Sequence, residues 1–253
     1  MDGPLLNMER YGRQIMLPGV GVDGQRKIRA AGVFIVGAGG LGSAAAYYLC
    51  AAGVGKLGII DHDRVEVGNL QRQILHHAGR IGAPKALSAA QTLRDLNPEV
   101  EVAPHQRRLT EENARKLLEG YDLVVDCSDN FFTRYILNDA CVRARMPLIY
   151  GAVQGFEGQA MTVVPGEGPC YRCLYPGPPP DPGAEPAGLR RGVIGVVPGV
   201  IGLVQASEAL KLILGRGELL TGRILLYNML AMEFSRIRVV RSAGCPDCGR
   251  LIK

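Results

Sequence analysis

Gly32-Val33-Phe34-Ile35-Val36-Gly37-Ala38-Gly39-Gly40-Leu41-Gly42-Ser43 is the stretch that decides how this chain folds. Residues 32–36 are an apolar run rich in β-branched side chains and read as a buried strand. Residues 37–42 then fit G-x-G-x-x-G, and a helix over 43–52 follows, closed by Gly53. In such a turn Gly37 permits the tight bend and Gly39 lets a phosphate approach the backbone. The helix N-terminus supplies free N–H groups and positive potential. A second strand over 56–60 ends at Asp61, nineteen residues after Gly42. A carboxylate there can accept hydrogen bonds from ribose hydroxyls. Strand, glycine loop, helix and acid together point to a nucleotide site.

Outward from this unit the alternation continues. Helices are expected over 86–96, 110–119 and 133–145, the second capped by Thr110, with strands over 100–103, 121–126 and 147–150. Strands alternating with helices imply right-handed βαβ units and a parallel sheet covered on both faces. The ligand should then sit beyond the carboxyl ends of the strands. The last third changes character: 159–164 and 223–227 look like antiparallel edge strands, separated by a Pro- and Gly-rich segment, 176–191. The expected fold is α/β, a doubly wound, mostly parallel, Rossmann-like sheet with a C-terminal antiparallel extension. We divide the single domain, 1–253, into a polar helical arm (1–30), a nucleotide-binding core (31–150) and a C-terminal part (151–253).

The bulk numbers exclude several classes. The chain has 253 residues, 47% hydrophobic and 21% charged, enough apolar material for a full core. The net charge of +5 comes with only short basic runs, Arg107-Arg108 and Arg190-Arg191, so no nucleic-acid partner is expected. The N-terminal region, with Asp2 and Glu9, has no signal-like apolar segment. The most apolar stretch, 193–204, contains Pro198, runs into Gln205, Glu208 and Lys211, and reads as a buried helix too short for a bilayer. A cytoplasmic protein without a membrane partner is the expectation.

Seven cysteines form no disulfide framework. Cys50, Cys127 and Cys141 stand among apolar neighbours as core thiols. Cys170-Tyr171-Arg172-Cys173 and Cys245-Pro246-Asp247-Cys248 have knuckle spacing, 71 residues apart. Four thiolates make a closed, structural zinc site that contributes to folding. A redox C-x-x-C is the weaker reading, because redox motifs usually come singly near a βαβ start.

The glycine loop does not choose between a dinucleotide and ATP. A triphosphate needs more cations, and Arg72 and Lys85 stand where they can supply them, although either can equally be a surface charge. Ser128-Asp129-Asn130 follows the fourth strand on the same rim as the glycine loop. Asp129 can bind magnesium bridging phosphate oxygens, and either Asp129 or Asn130 can cap the next helix.

Taken in order, Arg10-Tyr11-Gly12-Arg13-Gln14-Ile15, the glycine loop, Asp61, Asn69-Leu70-Gln71-Arg72-Gln73, Gly82-Ala83-Pro84-Lys85, Asp126-Cys127-Ser128-Asp129-Asn130 and the two cysteine pairs resemble one family. It is that of the bacterial adenylyltransferases that activate molybdopterin-synthase and thiamine-pathway sulfur carriers, relatives of the ubiquitin-activating enzymes. The resemblance covers about residues 8–249. It implies a homodimer that binds ATP and magnesium at Gly37, Gly39, Gly40 and Gly42. It gives Asp61 to the ribose and Asn69, Arg72 and Lys85 to the phosphates. Gln73 and Asn130 are included in the nucleotide site, and Asp129 holds the metal. Arg13 reaches the partner subunit's site, and with Arg72, Lys85 and Asp129 makes up the catalytic set. The implied substrate is a small ubiquitin-like sulfur carrier ending in Gly-Gly, adenylylated on its terminal carboxylate with release of pyrophosphate in molybdenum-cofactor or thiamine biosynthesis. Residues 151–253 are then the carrier-binding part.

One departure stands out. Some members of that family carry a crossover-loop cysteine that bonds to the carrier, and the segment 176–191 has none; Gly188 and Leu189 stand near that place. Adenylylation alone, with a separate sulfur donor, is therefore expected. The loop is read as a lid whose Arg190 or Arg191 meets acidic carrier residues. Two rivals share the fold: an NAD-dependent oxidoreductase, which would use the same glycine loop and Asp61, and a non-catalytic scaffold, against which the retained Arg13, Arg72, Lys85 and Asp129 argue.

Overall fold

All five residues of β1 (Gly32–Val36) are buried. Val33 and Ile35 enter the core on one side of the sheet, and Phe34 and Val36 enter the core on the other. The computed structural model describes residues 6–177 and 192–249, so most of the segment 176–191, including Gly188, Leu189, Arg190 and Arg191, lies outside the described residues. Two helices precede β1, α1 (Met8–Ile15) and α2 (Gly21–Ala30). After it come α3 (Gly40–Ala51), β2 (Lys56–Ile60), α4 (Lys85–Leu96), β3 (Glu101–His105), α5 (Glu111–Leu118), β4 (Leu123–Asp126), α6 (Phe131–Ala144) and β5 (Leu148–Gln154). The last part adds β6 (Glu157–Val163), the short α7 (Tyr171–Leu174), α8 (Val196–Leu214), β7 (Arg223–Asn228) and β8 (Glu233–Arg238).

The eight strands form one sheet in the order β3-β2-β1-β4-β5-β6-β7-β8. From β3 to β5 the pairing is parallel, and from β5 to β8 antiparallel. This is the doubly wound sheet with an antiparallel extension that the sequence pattern predicts. Strand order reverses between β1 and β4, so the connections after them diverge to opposite faces and leave a crevice at their carboxyl ends.

Two differences from the sequence reading have clear causes. The helix expected from residue 43 begins at Gly40, because the last two glycines of the loop belong to its first turn. A Cβ on Gly42 would lie 1.9 Å from the Gly37 carbonyl oxygen, so only glycine lets α3 pack this closely against the end of β1. β8 was not anticipated at all: its six residues are exposed, and its pairing with β7 is a tertiary fact.

The apolar helix is also longer than the stretch 193–204. α8 has 19 residues with mean hydropathy 1.5, a length and composition that alone would suit a bilayer. Here it packs against α3, β5 and β6. Gly202 sits so close to α3 that a Cβ would meet the Leu41 carbonyl oxygen at 2.4 Å. Its buried polar side chains Gln205 and Glu208 find partners on the sheet, in the loop before β7 and, through Lys211, on the helix itself. Gln205 Nε2 donates to the carbonyls of Asp126 (2.7 Å) and Ile149 (3.1 Å). Glu208 Oε2 accepts from Thr162 Oγ1 (2.5 Å) and the Leu220 N–H (2.8 Å).

Replacing Gly42 by alanine should force α3 away from β1. We expect Gly42→Ala to lose about 1–3 kcal/mol of stability, read from the urea midpoint; an unchanged midpoint would show that the contact is not limiting.

Candidate active site

The first turn of α3 has no side-chain cap. Its first helical hydrogen bond, from the Ser43 N–H to the Gly39 carbonyl, is 2.8 Å long, so the N–H groups before it have no partner within the helix. These donors open on a cavity of about 850 Å³ at the carboxyl ends of the parallel strands. Gly37, Gly39, Gly40, Asp61, Arg72, Gln73, Lys85, Asp129 and Asn130 all line it. The structure thus brings together residues from five separate segments of the chain.

The loop glycines differ in what they are for. Gly37 has φ +98°, and a Cβ there would meet the Cys127 carbonyl oxygen at 2.7 Å. Gly40 is crowded by Pro198 of α8, 2.9 Å from a Cβ. Gly39 has φ −81°, which any residue adopts, and a Cβ would meet nothing nearer than Gln73 Nε2 at 3.7 Å. Neither backbone strain nor packing explains a glycine at 39. What remains is close approach by a ligand from the cavity.

Around this loop the charges are placed with care. Asp61 Oδ2 accepts the Ala38 N–H at 2.8 Å and its Oδ1 the Asp63 N–H at 2.8 Å, which braces the loop against the end of β2. The Lys85 side chain, at the start of α4, is only 7% exposed and reaches Asp63 Oδ2 at 3.2 Å. Arg72 Nη1 donates to the Gly68 carbonyl at 3.0 Å. Gln73 is 5% exposed and its Oε1 has no hydrogen-bond partner in the structure. Asn130 caps α6, its side chain accepting the Thr133 N–H at 2.9 Å. That leaves Asp129 exposed on the rim, in no ion pair among the described residues, with a 3.4 Å contact from Asn130 Nδ2.

Three sequence candidates lie elsewhere. Gly42 is a packing residue, as described above. Asn69 does not line the cavity; its Oδ1 accepts the Glu66 N–H at 3.2 Å and closes the 3-10 turn Val67–Asn69. Arg13 is exposed on α1 and does not line the cavity of its own chain. Other residues went unnoticed as site candidates. Arg107 and Arg108 line the cavity, and so does Arg134, which is 6% exposed and donates from Nη2 to the Ser128 carbonyl at 2.9 Å. Its guanidinium lies 5.4 Å from the Tyr150 ring centre. Beneath it, burial raises the Asp126 carboxyl above its ordinary range, against the nearby Arg134 and two hydrogen bonds from Ser128. A mid-helix arginine gives no sequence signal of this kind.

The cavity has a second half. It continues past Tyr150 over the antiparallel strands, lined there by Gln159, Tyr175, Leu226 and Tyr227. Behind this wall the four C-x-x-C sulfurs converge, all within 4.8 Å of one another. The separations are 4.0 Å for Cys170–Cys173, 3.6 Å for Cys170–Cys245 and 3.4 Å for Cys173–Cys248. Four thiolates on a tetrahedral zinc would be about 3.8 Å apart, so the donor set fits that ion. Arg172 buttresses the cluster with ion pairs to Asp247 (2.6 Å) and Asp139 of α6 (3.1 Å).

Fold and cavity together define a doubly wound α/β protein with its main pocket at the topological switch point. The ThiF family model matches residues 11–247, and the chain belongs to the ThiF family. The sulfur carrier protein adenylyltransferase of Thermus thermophilus is 51% identical over 247 residues, 96% of this chain and 91% of that one. The SAMP-activating enzyme E1 of Haloferax volcanii is 48% identical over 96% of this chain and 89% of its own. The adenylyltransferase and sulfurtransferase MOCS3 of Mus musculus is 49% identical over 94% of this chain, which spans about half (51%) of that longer protein. Among solved structures, Escherichia coli MccB with ATP superposes with a TM-score of 0.82 at 25% identity, over 96% of this chain and 75% of that one. At this level of identity to named adenylyltransferases, the chain is an enzyme of the adenylyltransferase class.

Two outcomes follow from the site. Gly39→Ala should fold with wild-type stability yet weaken ATP binding at least about tenfold, since one methyl fills the space left for the ligand; calorimetric titration decides, and unchanged affinity would remove Gly39 from the site. Purified protein should carry one zinc ion per chain by elemental analysis, and Cys245→Ser should lose it together with several degrees of melting temperature. Zinc-free protein of full stability would contradict the knuckle.

Proposed function

We propose that this chain uses Mg-ATP to adenylylate the C-terminal glycine carboxylate of a small ubiquitin-like sulfur-carrier protein ending in Gly-Gly, releasing pyrophosphate. The observation that carries this is that one continuous cavity has two differently lined halves. One half holds an uncapped helix N-terminus, a ligand-sized gap at Gly39 and the cations Arg72 and Lys85. The other is walled by Tyr150, Tyr175, Leu226 and Tyr227, and we take it as the path of the carrier's glycine tail. The names of the Thermus and Haloferax relatives support the same substrate class.

In this reading the N–H groups at the start of α3 take phosphate oxygens. Asp61, already bonded to the loop, offers its remaining lone pairs to the ribose. Arg72 and Lys85 hold the phosphates with Gln73 beside them, and Asn69, off the cavity, shapes the turn that carries Arg72. Lys85 leaves Asp63 or bridges between it and the phosphate. Magnesium would supply positive charge near the phosphates, and Asp129, free of the capping role that Asn130 fills, would be the carboxylate to hold it. The carrier's carboxylate attacks the α-phosphorus, and pyrophosphate leaves. A carboxylate is ionised at neutral pH, so no general base is needed. Positioning and charge stabilisation supply the rate.

Arg13 enters as a homodimer residue, reaching the partner's cavity from the exposed face of α1. Residues 31–150 serve as the nucleotide-binding core and residues 151–253 as the carrier-binding part. The carrier belongs to molybdenum-cofactor or thiamine biosynthesis, in the cytoplasm. With no cysteine in 176–191, sulfur comes from a separate donor.

Incubation with Mg-ATP and each candidate carrier, followed by mass spectrometry, should reveal the acyl-adenylate. Arg72→Ala and Asp129→Ala should each abolish carrier-dependent ATP–pyrophosphate exchange while keeping the wild-type melting temperature. Near wild-type exchange in either variant would refute the assignments.

A further inference from the structure

We propose that His76 is a positioning residue for the nucleotide: it fixes the Ala38–Gly39 peptide plane so that the Gly39 N–H faces the cavity, and it ties that peptide to the helix that carries Lys85. The proposal rests on the reading of the cavity as an ATP site.

His76 does not line the cavity and is 6% exposed. Its Nε2 lies 3.0 Å from the Ala38 carbonyl oxygen and its Nδ1 2.9 Å from Ser88 Oγ. A carbonyl only accepts, so Nε2 carries the proton and Nδ1 accepts the Ser88 hydroxyl. Burial holds the imidazole below its ordinary value, with Lys85 and Arg80 acting in the same direction against the Ala38 hydrogen bond and Asp61, so the ring is neutral and its two partners choose the tautomer.

In a trans peptide the carbonyl and the following N–H point in opposite directions. Drawing the Ala38 oxygen inward to His76 therefore turns the Gly39 N–H outward, toward the cavity that Gly39 lines. The clamp is needed because of the glycine itself. Gly39 tolerates φ values that other residues avoid, so the 38–39 peptide can flip at little steric cost. A flip would present a carbonyl oxygen to the phosphate in place of a donor. On the other side of the same residue, the Ala38 N–H is held by Asp61 at 2.8 Å.

His76 also couples the loop to the cations. Ser88 lies one turn after Lys85 on α4. The preceding residue, Leu75, donates its N–H to Ser43 Oγ in the first turn of α3 at 3.3 Å. The segment that carries Arg72 and Gln73 is thus bonded to the glycine loop, to α3 and to α4 within two consecutive residues.

The test uses the whole chain and two readouts, equilibrium binding of ATP and the KM for carrier in exchange. His76→Leu should weaken ATP binding about tenfold, and His76→Gln, whose amide can still donate to the carbonyl, should recover to within about threefold of wild type. The carrier KM should stay constant in both. Unchanged ATP affinity in His76→Leu, equal losses in the two variants, or a matching loss in carrier KM would overturn the proposal. If His76→Leu does not fold, Ser88→Ala takes its place: a loss of about threefold in ATP affinity is expected, and none would overturn it. A wild-type chain that binds ATP but gives no exchange with any carrier would sink the adenylylation reading and leave the binding test standing.

Discussion

The packing of α3 against its surroundings is close enough to exclude any side chain at two contacts, and much else depends on it. Gly42 lets the helix start against the Gly37 carbonyl, and Gly202 lets α8 come down on Leu41 and Ala44. Alanines 44, 45 and 46 line the buried face between them. With small residues at each contact, α3 lies between the end of β1 and a long apolar helix. That position aims its uncapped N-terminus at the crevice where strand order reverses. The helix dipole and the free N–H groups act there together, within the first turn, where their effect is largest. A bulkier α3 would still be a helix, but its end would point elsewhere.

Buried charge is used in two ways in this chain. Near the cysteines, Arg172 is bracketed by Asp139 and Asp247 and lies 4.7 Å over the Tyr135 ring, so its donors are consumed by the protein. Such a network fixes geometry and leaves nothing for a ligand. At the cavity the balance differs. Lys85 has one carboxylate partner that is itself half exposed, and Arg72 has only a carbonyl. Cations placed this way keep most of their field for an incoming anion, at the cost of desolvation while the site is empty. That contrast, more than the number of basic residues, separates the cavity wall from the structural one.

The parts of this architecture that were legible in the sequence are those set by local chemistry. β1 and β2 fall where apolar runs end at Gly37 and Asp61, and the end of α4 falls where Asn97-Pro98 stops it. Thr110 with Asn113 forms the capping box that starts α5. α6 starts two residues before the expected Thr133, because Asn130, one of the two residues offered as its cap, does cap it. β8 escaped notice because an exposed strand carries no burial pattern; its position is decided by pairing with β7. The cavity residues quoted from the motifs do gather at one rim, whereas Arg134 and His76 were invisible. An arginine in mid-helix and a histidine in a turn look like surface residues until the elements that bury them are in place.

The two halves of the cavity are mechanically joined through the cysteine cluster. Cys173 is followed within two residues by Tyr175, which lines the channel half. The Tyr175 carbonyl accepts the Tyr135 hydroxyl at 2.9 Å, and its own hydroxyl accepts from Gln159 Nε2 of β6 at 2.9 Å. Tyr135 and Arg134 are neighbours on α6, one facing Arg172 beside the cluster and the other the cavity. A displacement of the four sulfurs therefore moves Tyr175 directly and α6 through Arg172 and Asp139. Because Asn130 and Asp129 begin that same helix, the geometry of a cluster remote from the glycine loop is imposed on the rim of the pocket. The four-cysteine cluster thus helps set the wall of the cavity from behind.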